Sequence, residues 1–160
     1  MPNKNYMKFA IPLLIFILAF STLNAQDEKK SYQIQRVETA PKIDAILDDA
    51  AWSNAQIATD FVEFRPVPGD TQSKEKRTEV KMVYNDDAIY VSAYLYDNPE
   101  DIMTQFTQRD DFGQSDFFGL IFNPNNDAQN NTEFFVFSSG TQADAVESPN
   151  NGEDFGWNAV

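Results

Sequence analysis

Carboxylates are the reactive side chains in which this sequence is richest. The 160 residues contain 25 Asp and Glu against 12 Lys and Arg, and they include no His and no Cys. The sequence therefore has no disulfides, no imidazole-activated nucleophile, and no metal site built on His or Cys. Acid–base catalysis by paired carboxylates, binding of hard cations and hydrogen bonding to neutral polar ligands remain as the chemistry that this chain can do.

A catalytic pair of carboxylates is the first of these alternatives. Glycoside hydrolysis needs two carboxyl groups roughly 5 to 10 Å apart across a cleft. Glu133, Asp144 and Glu147 have the required side chains, but any acidic β-sheet protein would supply a similar set. The sequence therefore does not favour intrinsic catalysis in this segment, and an association with glycosidase activity would come through a fused domain.

Calcium is the ion that such oxygen donors would take. Asp and Asn cluster at NDD, YDNPED, RDD, NPNND and NNGED, although no cluster has the spacing of an EF-hand. Loop oxygens of this kind can hold a structural calcium ion. The alternative is that these clusters form turns on an acidic surface.

The segment RDDFGQSD, residues 109–116, places an aromatic ring among polar side chains. Proteins hold sugars by stacking aromatic rings on the apolar faces of pyranoses while polar side chains bond the hydroxyls. We therefore expect Phe112, Arg109, Asp110 and Gln114 to form the mouth of a carbohydrate site. The alternative is that Phe112 packs beneath its loop and the domain is a scaffold.

The first 25 residues have the pattern of a secretory signal peptide. Lys4 and Lys8 precede the apolar run from Phe9 to Phe20, and STLNA follows it, with Ala25 as the small residue before the expected cleavage point. Without the two lysines the net charge changes from −13 to −15. A surface this acidic repels nucleic acid and anionic lipid. Neutral molecules, cations and basic proteins remain as possible binding partners.

Short alternating runs separated by Asp, Asn, Pro and Gly predict an all-β fold. The segment TEVKMVYNDDAIYVSAYLYD, residues 78–97, predicts a central hairpin in which one face is buried. That face carries Val80, Met82, Ile89, Val91 and Leu95. Further strands are predicted at 32–37, 57–64, 116–122, 133–138 and 142–147, with the start of another at Gly156, and short helical turns are predicted near 48–54 and 99–104.

Four motifs in order, PKIDAILDDAAWSNA, the 78–97 hairpin, QSDFFGLIFNPNND and TEFFVF, resemble the family 9 carbohydrate-binding modules. The closer resemblance is to the version that opens exported proteins of Bacteroidota-type bacteria. It implies a linker and first strand over 26–40. It further implies an immunoglobulin-like or jelly-roll-type β-sandwich over 41–160, incomplete at its C-terminal end. Within it, Asp48 would cap a short turn and Trp52 would plug one end of the core.

The resemblance favours a structural calcium ion, with Asp97 and Asp116 as the candidate ligands. It also implies a function and a location. A non-catalytic module of this kind would bind a polysaccharide or oligosaccharide in an exported protein involved in carbohydrate recognition or catabolism. It would lie in the periplasm, at the cell surface or in the outer membrane of a Gram-negative bacterium, next to an outer-membrane barrel region of the full-length chain. The alternatives are a scaffold domain of such a barrel protein without sugar binding, and part of a glycoside hydrolase.

Overall fold

A computed structural model describes residues 30–159 of the chain. Residues 30–33 belong to a separate N-terminal unit and contain no helix or strand, and everything below concerns the unit that begins at Ile34. The predicted signal peptide lies outside the described residues. The described part is all-β, with two sheets of β-sandwich type, and this confirms the predicted fold class. Its strands are β1 Gln35–Arg36, β2 Thr78–Tyr84, β3 Ile89–Leu95, β4 Phe117–Phe122, β5 Asn131–Phe137, β6 Gln142–Ser148 and β7 Gly152–Asp154.

The first sheet has the order β1-β2-β3 and contains the predicted hairpin. Strands β2 and β3 pair antiparallel along their whole length, and Asn85 closes the turn between them because its side-chain oxygen accepts the N–H groups of Asp87 and Ala88. Strand β1 is shorter than predicted and pairs parallel to β2. The strand predicted over 57–64 is wrong, since only single bridges form there, at Ala58 and Val62.

The predicted buried face of the hairpin is buried at Val80, as expected, but exposed at both ends of β3. Ile89 and Leu95 are 55% and 45% exposed, whereas Val83 is fully buried. Val83 packs with Trp52 and Ala55, and Val37 and Tyr90 border this cluster. The face of the hairpin that bears Val83 is therefore covered by the segment around Trp52, and the face that bears Ile89 and Leu95 looks onto the groove between the two sheets.

Trp52 is a structural plug, as predicted, but its turn is capped differently. The 3₁₀ turn Ala50–Trp52 begins after Asp49, which is the N-cap residue and makes no side-chain cap bond. The Asp49 carboxylate instead accepts the backbone N–H of Lys42, at 3.2 Å. The prediction that Asp48 caps this turn is therefore wrong, because the turn starts one residue later. The second predicted helical turn, near 99–104, is a single non-helical turn.

The second sheet has the order β4-β5-β6-β7, with every neighbouring pair antiparallel. Three of its strands begin or end within two residues of the predicted bounds, because Phe, Val and Ala alternate with polar residues there. Phe135, Phe137 and Ala143 form its buried cluster. The strand predicted from Gly156 is wrong, since residues 156–159 contain no strand. The last strand of the described residues is β7, which ends two residues before Gly156, and it was missed because the residues GED carry no apolar alternation.

Candidate functional site

The loop that carries the predicted site residues is held by its own side chains. The backbone N–H of Gln105 donates to Ser115 Oγ at 2.7 Å, and the N–H of Gln114 donates to Gln105 Oε1 at 2.8 Å. Gly113 has a φ of +50°, and a Cβ there would lie 2.6 Å from Thr107 Cγ2. Gly113 is therefore required by both its backbone conformation and the lack of space. These contacts position the loop from which Arg109 and Phe112 project.

Arg109 forms an ion pair with Asp144 on β6. Its Nη2 donates to Asp144 Oδ2, and its Nε donates to Asn158 Oδ1 at 3.3 Å. The Asp144 side chain is only 4% exposed, while that of Arg109 is 40% exposed. The guanidinium thus covers a buried carboxylate and keeps one side in solvent.

Asp110 fastens the same loop to β6. Its backbone N–H donates to Gln142 O, and its Oδ1 accepts the backbone N–H of Asp144, both at 3.2 Å. Asp144 Oδ2 also accepts the N–H of Ala159, at 3.2 Å. Asp144 therefore ties together the loop, the sheet and the segment that follows β7.

A pocket of about 370 Å³ lies beside this ion pair. Phe134 and Asp144 are directly opposed on β5 and β6, so they share one face of the sheet and both line the pocket. Arg109, Val136 and Gln142 also contribute to its wall. We call this pocket the Arg109 pocket. It combines an aromatic ring with charged and amide groups, the composition of sites that bind polar, ring-shaped ligands.

Phe112 does not join this pocket. Its ring packs at 5.0 Å from both Phe135 and Phe137 and at 5.4–5.5 Å from Phe117 and Phe155, in edge-on arrangements. These contacts belong to the buried cluster on the opposite face of the sheet from Asp144. The loop thus directs Arg109 to one face and Phe112 to the other, and the alternative that Phe112 packs beneath its loop describes the structure.

Gln114 also stays apart from the Arg109 pocket. It is exposed, and its described contact is the bond from its backbone N–H to Gln105. Of the four residues predicted to form the mouth of a carbohydrate site, the structure brings Arg109 and Asp110 together and separates Phe112 and Gln114 from them.

Trp157 is a residue that sequence analysis missed. Its ring lies 6.4 Å from the ring of Phe134, centroid to centroid, and the neighbouring Asn158 and Ala159 contact Arg109 and Asp144. It was missed because the segment from Gly156 was interpreted as the start of a strand. Trp157 places a second aromatic ring beside the Arg109 pocket.

Asp97 and Asp116, the predicted calcium ligands, line one larger cavity of about 660 Å³ between the two sheets. Asp97 forms an ion pair with Lys76 at 3.0 Å, and that bond lowers the pKa of its carboxyl group. Asp116 Oδ2 accepts the N–H of Met103 at 3.1 Å. In residues 30–159 no three acidic side chains converge in a way that would hold a metal ion.

The three acids considered for catalysis also separate. Glu133 is opposed to Ala145 on β6, so it faces the side of the sheet opposite to Asp144. Glu147 accepts the side-chain N–H of Asn131 at 2.6 Å. Glu133 is 2% exposed, which leaves no room for a substrate to reach its carboxyl group. Glu133 and Asp144 therefore cannot act across one cleft.

Glu133 is expected to destabilise the fold at neutral pH. Its Oε2 is buried without a hydrogen-bond partner. Burial, followed by the nearby charges of Glu153 and Glu147, raises the pKa of Glu133 above its ordinary value of 4.5. The folded state thus binds this proton more tightly than the unfolded chain does. The stability that this tighter proton binding gives the fold is fully present below pH 4.5. It is lost as the pH rises through the folded-state pKa of Glu133.

We therefore expect Glu133→Gln to raise the free energy of unfolding at pH 7 by about 1–3 kcal/mol, because the substitution removes a buried charge and keeps the shape of the side chain. The gain should shrink as pH falls towards 4.5. Urea unfolding of the full chain at several pH values measures it, with the exposed Glu100→Gln as the control. A variant that is less stable than the parent protein at pH 7 would contradict the expectation.

Comparison with family models, with curated proteins and with solved structures finds no match to this chain. Within residues 30–159, no helix has the length and apolar character needed to cross a membrane.

Proposed function

We propose that this chain is a non-catalytic carbohydrate-binding domain and that the Arg109 pocket is its binding site. The observation that carries the proposal is the meeting of Phe134, Arg109, Asp144 and Gln142 at one pocket, with Trp157 beside it. An aromatic ring can stack on the apolar face of a pyranose while charged and amide groups bond its hydroxyls.

The ion pair leaves Arg109 able to bind a ligand. A guanidinium carries five N–H donors, and the bonds to Asp144 and Asn158 use two of them. Asp144 holds the guanidinium in place, so little side-chain entropy is lost when a hydroxyl group binds to it. In this proposal Arg109 and Gln142 bond the sugar, and Asp144 and Asp110 position Arg109.

The charge of the chain favours a neutral glycan. With 25 acidic against 12 basic residues, the surface repels polyanions, including nucleic acid. A neutral polysaccharide or oligosaccharide meets no such repulsion. The role in recognition or catabolism of a carbohydrate that the sequence resemblance implies is consistent with this choice.

Two glutamines of the same region provide a matched test. Gln142 lines the Arg109 pocket, and Gln114 is exposed outside it. In calorimetric titrations of the full chain with xylan, cellulose and short oligosaccharides, we expect saturable binding to one of them. Gln142→Ala should weaken that binding by about tenfold, as the loss of one hydrogen bond implies, and Gln114→Ala should leave it unchanged.

The opposite results would change the assignment. Equal effects of the two substitutions would move the site away from the Arg109 pocket. No saturable binding to any glycan of the panel would favour the second proposal, a scaffold domain of an envelope protein. The packing of Phe112 within the buried cluster is the observation that favours this second function.

We also propose that the protein is exported to the envelope of a Gram-negative bacterium. The proposal rests on Lys4, Lys8 and the apolar run 9–20, followed by Ala25. N-terminal sequencing of the protein recovered from cells should find a chain that begins at Gln26. A recovered chain that begins at Met1 would contradict export by cleavage.

A further inference from the structure

A groove runs between the two sheets along strands β3 and β4. The cavity of about 660 Å³ lies at one end, between Leu95 and Phe118, and a second cavity of about 650 Å³ lies at the other end, between Ile89 and Phe122. Strands of six and seven residues make the groove about 20–23 Å long. It is as long as one ordinary β-strand.

Both walls of the groove are strands at the edges of their sheets. β3 ends the order β1-β2-β3, and β4 begins the order β4-β5-β6-β7. Among residues 30–159 no strand pairs with the outer side of either one. Each edge therefore presents a row of backbone N–H and C=O groups at the repeat of a β-ladder, which is a template for another strand.

The groove is lined by apolar side chains at alternate positions, of which Ile89 and Leu95 are exposed and the others half-buried. On β3 they are Ile89, Val91 and Leu95, and on β4 they are Phe118, Leu120 and Phe122. A spacing of two residues matches the side chains that project to one face of an inserted strand. A sugar would not pair with the regular row of backbone N–H and C=O groups. It would also not bury all of these apolar side chains.

One end of the groove is acidic. Asp97 and Asp116 both line the cavity near Leu95, and the charge of Lys76 at that end is already neutralised by Asp97 and Asp101. A basic residue at the matching end of the occupant would complement this charge. The net charge of −13 opposes a second copy of the same chain as the occupant.

From these observations we propose that the groove binds an extended segment of another polypeptide, which adds a β-strand to β3 or β4. The segment carries apolar residues at alternate positions and a basic residue at the end near Asp97 and Asp116. The groove shares Phe134 and Val136 with the wall of the Arg109 pocket but none of its polar residues, and peptide binding to the strand edges does not depend on carbohydrate binding.

The probe for the test is a synthetic peptide of about nine residues in which valine alternates with threonine, with a lysine at each end. We expect saturable binding to the full chain by fluorescence anisotropy, with slower hydrogen exchange of the β3 and β4 amides. The same peptide with every second amide N-methylated should bind about tenfold more weakly, because one row of donors is lost.

Ile89→Lys and Ile121→Lys form a matched pair of protein variants. Both are isoleucines exposed on strands, at 55% and 57%, but Ile89 lines the groove and Ile121 does not. Ile89→Lys should weaken peptide binding by about tenfold, and Ile121→Lys by less than about twofold. Equal effects of the two variants, or no saturable binding, would overturn the proposal. So would binding that appears only when residues 1–25 are removed, or a dimer of the chain that the peptide does not dissociate.

Discussion

Arg109→Ala should destabilise the fold by about 3–5 kcal/mol, the cost of leaving a buried charge without its partner. The substitution removes the guanidinium from the Asp144 carboxylate, of which Oδ1 already lacks a hydrogen-bond partner. It also removes the bond to Asn158 and so loosens the segment after β7. Urea unfolding of the full chain, followed by tryptophan fluorescence, measures the change.

Arg36→Ala is the control for this result. Arg36 pairs with Asp86 at 2.6 Å, but both side chains are at least half exposed, so the loss should be within about 1 kcal/mol. The double variant Arg109→Met with Asp144→Leu should recover most of the stability lost by Arg109→Ala, because no charge stays buried. Similar losses of stability for Arg109→Ala and Arg36→Ala would contradict this expectation, because they would show that the buried Asp144 carboxylate is not destabilised by losing its partner.

Phe112→Ala should lower the free energy of unfolding by about 3 kcal/mol. Its ring contacts four other phenylalanines, and a cavity would open between Phe135 and Phe137 at the centre of the second sheet's buried cluster. Because the ring is half-buried, the loss should lie at the lower end of the range for core phenylalanines. The same urea unfolding experiment measures this loss.

Phe106→Ala is the control for this result. It tests whether the loss of stability depends on where the phenylalanine lies and not only on its residue type. Phe106 belongs to the same connection between β3 and β4 but is 82% exposed, so its removal should change stability by less than about 0.5 kcal/mol. If Phe112→Ala instead leaves unfolding unchanged and abolishes binding of a glycan, Phe112 is a ligand contact and its assignment to the buried cluster is wrong.

Most of the strands could be predicted because their signals are local. Alternation of side chains and the Asn85 turn define the hairpin without reference to the rest of the chain, and β4, β5 and β6 are defined in the same way. Segment 57–64 has the same local pattern yet forms only two single bridges. Alternation predicts that a segment can be a strand, but a neighbouring edge must be available for it to become one.

The site was harder to predict because it combines distant positions. Arg109 and Asp144 are separated by 35 residues, and Asn158 is a further 14 residues along the chain. No spacing rule joins a loop arginine to an aspartate in the middle of a strand. Phe112 was predicted as exposed for the same reason, since its polar neighbours in sequence do not reveal the four rings that meet it in space.

The sequence by itself determined the all-β class, the strand pairs joined by short turns, and the exclusion of His and Cys chemistry. Those properties depend on composition and on contacts between near neighbours in the chain. Only the tertiary structure decided that Val83 is buried on the opposite face of the hairpin from Val80, because both faces carry apolar residues and the segment around Trp52 covers the one with Val83. It also decided that Arg109 and Phe112, three residues apart, serve opposite faces of one sheet. Side-chain direction in a loop depends on the bonds that hold its backbone, and those bonds involve residues from three parts of the chain.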